Sequence, residues 1–213
     1  MSDQTSEKTS RIEQLLAQAK SDTEEKTSIS HAGHEFADAA TAEKTFRRLR
    51  EKLFRVERWN DESGASSFAL FNEKGAPTPN KNAAVGDFIR IRLPGTGKYD
   101  WVKVIDVFEG SNETILTVQP TFDPTDDAPD KSVTSHFFTG ESTNNFCLQH
   151  DDVKINMYVI GLNEITNTDE AENLFESARN LVTANVGHFL GFQKAEWTTF
   201  CNNFLENEGK SEN

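Results

Sequence analysis

Residues 87–119, DFIRIRLPGTGKYDWVKVIDVFEGSNETILTVQ, decide how this chain folds. Apolar and polar residues alternate along 87–93, with Ile89 and Ile91 on one face and Arg90 on the other, which is the pattern of a half-buried strand. The β-branched and aromatic segments 101–108 and 114–119 predict two further strands. Gly-containing turns separate the three segments, so the centre of the chain is predicted to be an antiparallel meander.

The flanking sequence extends this meander and adds helices. Further strands are predicted at 67–72, 132–139, 144–150 and 153–160. The spacing of apolar residues predicts amphipathic helices at 41–59, at about 166–187 with Gly187 as its stop, and around Trp197. We therefore expect an α+β domain, with an antiparallel sheet or a small, partly open barrel in the middle. One N-terminal and two C-terminal amphipathic helices would flank it.

Two resemblances accompany this pattern. The turn at 85–87, the alternating strand, the Gly-containing loop and Trp101-Val102-Lys103-Val104 resemble the opening strands of an SH3-like small barrel, over residues 85–119. More broadly, the chain resembles an uncharacterised bacterial protein family with no assigned function. Neither resemblance implies an activity.

The ends of the chain differ from its middle in composition. Residues 1–40 are rich in Ser, Thr, Glu, Lys and Ala, and we expect a mobile polar segment containing one short helix capped by Ser10. The single α+β domain is expected at 41–207 and an acidic tail at 208–213. No signal peptide or membrane-spanning run is visible, and Cys147 and Cys201 lack metal-site spacing, so we expect a cytoplasmic protein with free thiols.

Charge is unevenly distributed along the chain. The net charge is −13, yet residues 44–103 carry 13 Lys or Arg against 7 Asp or Glu. Arg90, Arg92 and Lys103 would lie on one sheet face beside aromatic rings, an arrangement that can bind nucleic acid or other anions. The alternative is that acidic residues within the fold, including Asp169 and Glu176, neutralise these cations. We favour the second interpretation, so we do not expect nucleic acid to be a partner.

Familiar catalytic and cofactor motifs are absent. Residues 94–98, PGTGK, lack the remaining glycine and the Ser or Thr of a phosphate-binding loop. Cys147 and His150 would point to opposite faces of a strand. Asp123, Asp126, Asp127 and Asp130 do not match a calcium loop. We therefore expect no metal or other cofactor.

Three functions remain open. The first is a non-enzymatic module that binds an unknown small molecule or protein in a cleft between the strands and the terminal helices, lined by Phe88, Trp101, Phe108, Phe137, Phe138 and Phe146. The second is an anion- or nucleic-acid-binding barrel that uses Arg90, Arg92 and Lys103. The third is an enzyme whose site is assembled from distant residues such as His136, Cys147, Glu164 and His188.

Overall fold

One antiparallel sheet organises the molecule. The structure is a computed structural model. It describes residues 10–22, 26–92, 99–127, 134–167 and 186–206, and of residues 186–192 it describes the backbone alone. The strands are β1 (Thr27–Glu35), β2 (Ser67–Phe71), β3 (Phe88–Arg92), β4 (Tyr99–Glu109), β5 (Glu113–Pro120), β6 (Thr143–Asp151) and β7 (Lys154–Leu162). Their order is β1-β7-β6-β5-β4-β3-β2, so the sheet is a meander to which β1 adds at the β7 edge.

Four helical segments accompany the sheet in the described part of the chain. They are α1 (Arg11–Ser21), α2 (Ala39–Phe54), a 3₁₀ helix (Val56–Asp61) and α3 (Val186–Glu206). Ser10 caps α1 by accepting a hydrogen bond from the Glu13 amide, and Asp38 caps α2 in the same way through Thr41. The α+β class with a partly open antiparallel sheet is therefore confirmed.

The sheet has an inner and an outer face because side chains alternate along each strand. The inner face packs against α2 and α3, with Ile89, Val102 and Phe146 in the main core. The outer face packs against α1 through Ile115 and Ile160. A β-bulge between Val104 and Asp106 lets both Val104 and Val107 face inward.

The N-terminal segment contributes to the sheet. All nine residues of β1 pair with β7, from Thr27 with Leu162 to Glu35 with Lys154. Ile12 of α1 is fully buried against the outer face. The segment 1–40 was expected to be mobile. Its described residues, 10–22 and 26–40, instead include a docked helix and an edge strand.

Other details of the predicted order need correction. Residues 134–139 form no regular strand, and Phe138 makes only an isolated bridge to Thr166. Gly187 lies within α3 and does not end a helix there. The predicted helix before Gly187 falls largely on residues outside the described ranges. Residues 85–119 contribute β3–β5 to the larger sheet, and the SH3-like resemblance is not confirmed.

Helix length and apolarity also bear on membranes. Among the described residues, the structure has no helix with the length and apolar character needed to cross a bilayer.

Candidate functional site

A cavity lies between the inner face of the sheet and α3, and we call it the sheet–helix cavity. Its volume is about 30 Å³, and it is partly open to solvent. That volume is sufficient for at least one water molecule or a compact polar group. The half-buried Ile91 and Gln193 contribute to its wall, together with fully buried aromatic rings.

The apolar wall is a cluster of aromatic side chains contributed by three elements. Trp59 from the 3₁₀ helix lies 4.5 Å from Phe146 of β6, measured between ring centroids. Trp197 of α3 lies 5.3 Å from Phe146 in an edge-to-face arrangement. An edge-to-face contact is a preferred geometry of aromatic pairs and sets the relative orientation of these two rings.

A histidine and a carboxylate face each other in the polar wall. His136 Nε2 lies 3.7 Å from Asp100 Oδ2, and both side chains are buried. The Phe138 amide donates to His136 Nδ1 at 2.9 Å, so in the neutral ring Nε2 carries the proton. Burial lowers the pKa of His136, while the neighbouring Asp100 acts in the opposite direction.

Two buried polar atoms in the wall have no hydrogen-bond partner within the described part of the chain. They are Asn144 Oδ1 and Trp197 Nε1. Asn144 is 4% exposed and Trp197 is 7% exposed. An unsatisfied buried polar atom costs roughly 1–3 kcal/mol, so a cavity holding an acceptor and a donor in this state favours occupation by a polar group.

Glu196 supplies a second carboxylate from α3. Its Oε1 accepts hydrogen bonds from the amides of Ala65 and Ser66, at 3.0 and 2.8 Å. Its Oε2 approaches Gly64, where an added Cβ would lie only 2.8 Å away. Glu196 therefore connects α3 to the loop before β2. Among the described residues, its Oε2 accepts no hydrogen bond.

Glu164 lies on the same face, next to the strand position of Asn144. Gly161 pairs with Ser28 on one side and with Asn144 on the other. The Glu164 carboxyl stands over Gly161, in space that a Cβ at that position would fill, and accepts from Ser28 Oγ at 3.0 Å. Burial raises the pKa of Glu164 to about 7.

The predicted aromatic site residues are divided among several places. Phe146 lines the sheet–helix cavity. Phe88 and Trp101 lie on the outer face, in a separate cluster with Phe71. Phe108 is on the outer face with α1, and the Arg11 guanidinium lies 4.1 Å from its ring centroid. The fully buried pair formed by Phe137 and Phe138 stands beside His136.

The predicted anion-binding residues do share one face. The Arg90 guanidinium lies 4.3 Å from the centroid of the Tyr99 ring and 5.1 Å from that of Phe71. Lys103 lies 5.6 Å from the centroid of the Phe88 ring, and Arg92 is exposed. Within the described ranges, no carboxylate lies within 4 Å of these three cations, and the acidic residues expected to neutralise them, 169–176, fall outside those ranges.

The remaining sequence candidates are dispersed. Cys147 is buried on the outer face, where burial raises the pKa of its thiol, whereas His150 stacks on Phe46 of α2. Cys201 is buried in the main core and burial raises its thiol pKa to about 12. Among the described residues no group of three His, Cys, Asp or Glu could hold a metal ion. Asp130 and the side chain of His188 fall outside the described residues.

A wider surface recess of about 350 Å³ lies beside the loop between β2 and β3. Two of its charged groups are already paired, since Lys81 Nζ lies 2.9 Å from both carboxylate oxygens of Asp87. None of the unpartnered buried atoms found in the described residues belongs to it. The sheet–helix cavity is therefore the better candidate.

Sequence reasoning missed three of the cavity's polar residues: Asp100, Asn144 and Glu196. Asp100 occupies an inward position two residues before the buried Val102, and Asn144 occupies one two residues before Phe146. A polar residue at an inward strand position was the available signal. The contact of Asp100 with His136 could not be found from local spacing because the two residues belong to different parts of the fold.

Comparison with known proteins supports the fold alone. No protein-family model matches the chain, and no curated protein matches it significantly. The hypothetical protein jhp0584 from Helicobacter pylori is similar in structure, with a TM-score of 0.52 and 7% identity over 85% of this chain and 86% of that one.

More distant similarity extends to two other solved structures. Protein MLL2253 from Mesorhizobium loti has a TM-score of 0.44, with 10% identity over 87% of this chain and all of that one. Norcoclaurine synthase from Thalictrum flavum has a TM-score of 0.39, with 9% identity over 87% of this chain and 90% of that one.

Proposed function

We propose that this protein is a non-enzymatic binding module that takes a small molecule into the sheet–helix cavity. The observation that carries the proposal is the pair of unpartnered buried atoms, Asn144 Oδ1 and Trp197 Nε1, in the wall of one cavity. Water alone could serve both atoms. A ligand whose polar end serves at least one of them would also bury apolar surface, which is the larger source of affinity.

The shape of the cavity defines the kind of ligand. Its volume of about 30 Å³ suits a compact polar group. An apolar body would then extend to the solvent side, where Ile91 and Gln193 lie. The expected ligand is therefore a small amphiphilic molecule with one compact polar end.

Intrinsic fluorescence tests this proposal because two of the three tryptophans, Trp59 and Trp197, line the cavity. In a Trp101→Phe background, only these two report. We expect titration with 2-phenylethanol or 2-phenylacetamide to change the emission saturably. The change should weaken in Asn144→Leu, which removes the unpartnered acceptor. A linear, non-saturating response to both probes at millimolar concentrations would reject the proposal.

An enzyme is the second candidate, and the observation that favours it is His136 beside Asp100 in the same cavity. A general base needs a free lone pair. The neutral His136 ring has Nδ1 occupied by the Phe138 amide, which leaves only the Nε2 proton to offer. This arrangement suits hydrogen-bond donation to a bound group better than proton abstraction, and we therefore rank binding first.

A further inference from the structure

The wall of the sheet–helix cavity has a negative bias. Its lining includes two carboxylates, Asp100 and Glu196, and no Lys or Arg among the described residues. Burial lowers the pKa of His136, the one basic group that the described residues contribute to the lining, which disfavours a positive charge on this ring. A low-dielectric cavity with this balance favours a positively charged group over a neutral one.

Free acceptor atoms point in the same direction. Asn144 Oδ1 is buried and, within the described residues, accepts no hydrogen bond. Glu196 uses only Oε1 to bind the amides of Ala65 and Ser66, and its Oε2, which lies beside Gly64, accepts no hydrogen bond among those residues. A group that donates several hydrogen bonds would match both atoms, and an ammonium group has three N–H donors and no acceptor.

Aromatic rings complete the environment. The rings of Trp59, Phe146 and Trp197 also line the cavity. Aromatic faces attract cations, and tryptophan does so most strongly. The cavity volume of about 30 Å³ is sufficient for a primary ammonium group, which is close to a water molecule in size. Trp197 Nε1 is itself a donor and gains nothing from such a group, so the pairing falls to Asn144 and Glu196.

We propose that the ligand bound in the sheet–helix cavity is a small primary amine whose ammonium group lies between Asn144, Glu196 and the tryptophan rings. This inference rests on the proposed binding function and specifies the chemical class of its ligand. Asp100 contributes charge to the same wall and stays paired with His136.

Three probes test the inference: phenethylamine, 2-phenylethanol and phenylacetate. Each carries a phenyl ring on a two-carbon chain, and they differ in the polar group at the end. Binding is measured by calorimetry and by the fluorescence of the Trp101→Phe protein at pH 7 and physiological salt. We expect phenethylamine to bind at least about tenfold more tightly than the alcohol, as a hydrogen bond to a charged group implies, and phenylacetate to bind least.

Variants test whether the amine binds in this cavity. Glu196→Gln retains an oxygen for the loop amides but removes the charge, and should weaken phenethylamine binding about tenfold while leaving the alcohol unaffected. Asn144→Asp should tighten binding of the amine. Asp106→Asn removes one charge from an exposed site on the opposite face and is the matched control, expected to change nothing. Thermal melts verify that each variant is folded.

The outcomes separate the two proposals. If none of the three probes binds, the binding function itself fails. If the alcohol or the carboxylate binds as well as the amine, the cavity binds ligands but the amine inference is wrong. Amine binding that Glu196→Gln and Asn144→Asp leave unchanged, or that Asp106→Asn weakens equally, would place the cation elsewhere on this acidic protein and overturn the inference.

Discussion

Lys52 Nζ lies 2.6 Å from Glu62 Oε1, and their side chains are 6% and 3% exposed. The same ammonium group donates to the Phe204 carbonyl at 3.2 Å and lies 4.6 Å from the centroid of the Phe204 ring. Lys52 of α2 is thereby joined to the end of the 3₁₀ helix and to α3. Its partner carboxylate belongs to the basic segment 44–103 itself, so part of that segment's charge is balanced locally.

Removing Lys52 alone should be costly. Lys52→Met leaves the Glu62 carboxylate buried without its cation, and we expect the free energy of unfolding to fall by roughly 3–5 kcal/mol. The double variant Lys52→Met/Glu62→Leu should recover most of this loss. Urea denaturation of the three proteins measures both quantities. Equal stability of the single and double variants would mean that Glu62 does not depend on this ion pair.

Truncation measures how much the N-terminal segment contributes. A chain starting at Lys26 loses α1, including the fully buried Ile12, and should melt on the order of 10 °C lower. A chain starting at Phe36 also loses β1 and exposes the whole edge of β7, so we expect no cooperative thermal transition. If both truncated chains melt like the full chain, the domain begins near residue 41, as the sequence composition indicated.

Glu164 should make stability depend on pH. Its pKa rises from 4.5 to about 7 on folding, so between these values the folded state holds a proton that the unfolded state has lost. The free energy of unfolding should therefore fall by up to about 3 kcal/mol as pH rises from 4.5 to 7. His136 has the opposite sign, because its lowered pKa makes folding less favourable below about pH 6.5.

Comparison with Glu164→Gln isolates this effect, since other titrating groups contribute to both proteins alike. We expect the variant to be more stable than the wild type at pH 8 and to lose that advantage toward pH 4.5. Denaturation midpoints at several pH values provide the measurement. If the difference in stability between the two proteins stays constant across this range, position 164 does not hold a buried carboxyl with a raised pKa.

Nucleic acid is expected not to bind, although Arg92 and Lys103 have no carboxylate within 4 Å among the described residues. The Arg90 guanidinium is engaged by Phe71 and Tyr99, and a net charge of −13 repels a polyanion. Fluorescence anisotropy with an oligothymidine at low salt tests this, where phosphate contacts are strongest. Salt-dependent binding that disappears in Arg92→Glu/Lys103→Glu would make this face a binding site.

Much of the sheet could be predicted because its strands alternate strongly between apolar and polar residues. β3 is an example, with Ile89 inward and Arg90 outward. β1 was missed because its inward residues are small: Ser30 and Ala32 allow α3 to approach closely, and Ser30 Oγ lies 3.4 Å from the Lys194 carbonyl. Small polar residues of this kind also occur in loops, so the hydrophobic pattern does not reveal a strand.

The candidate site was predicted only in outline. Its location between the sheet and a C-terminal helix was expected, as was Phe146 in its wall. The other predicted rings are separated by the alternation of the strands, which places Phe88 and Trp101 on the outer face. Asp100 meets His136 only through the tertiary fold, so no local pattern could reveal their contact.

The pairing of β1 with β7 has a consequence for synthesis. Thr27 finds its partner Leu162 only after more than half of the chain has been made. At typical elongation rates, β7 is synthesised on the order of ten seconds after β1. Because its residues are small and polar, β1 lacks a clear strand pattern in the sequence. The same composition makes it a poor template for intermolecular strand pairing during that interval. The same residues thus permit close packing in the finished protein and limit aggregation while the chain is incomplete.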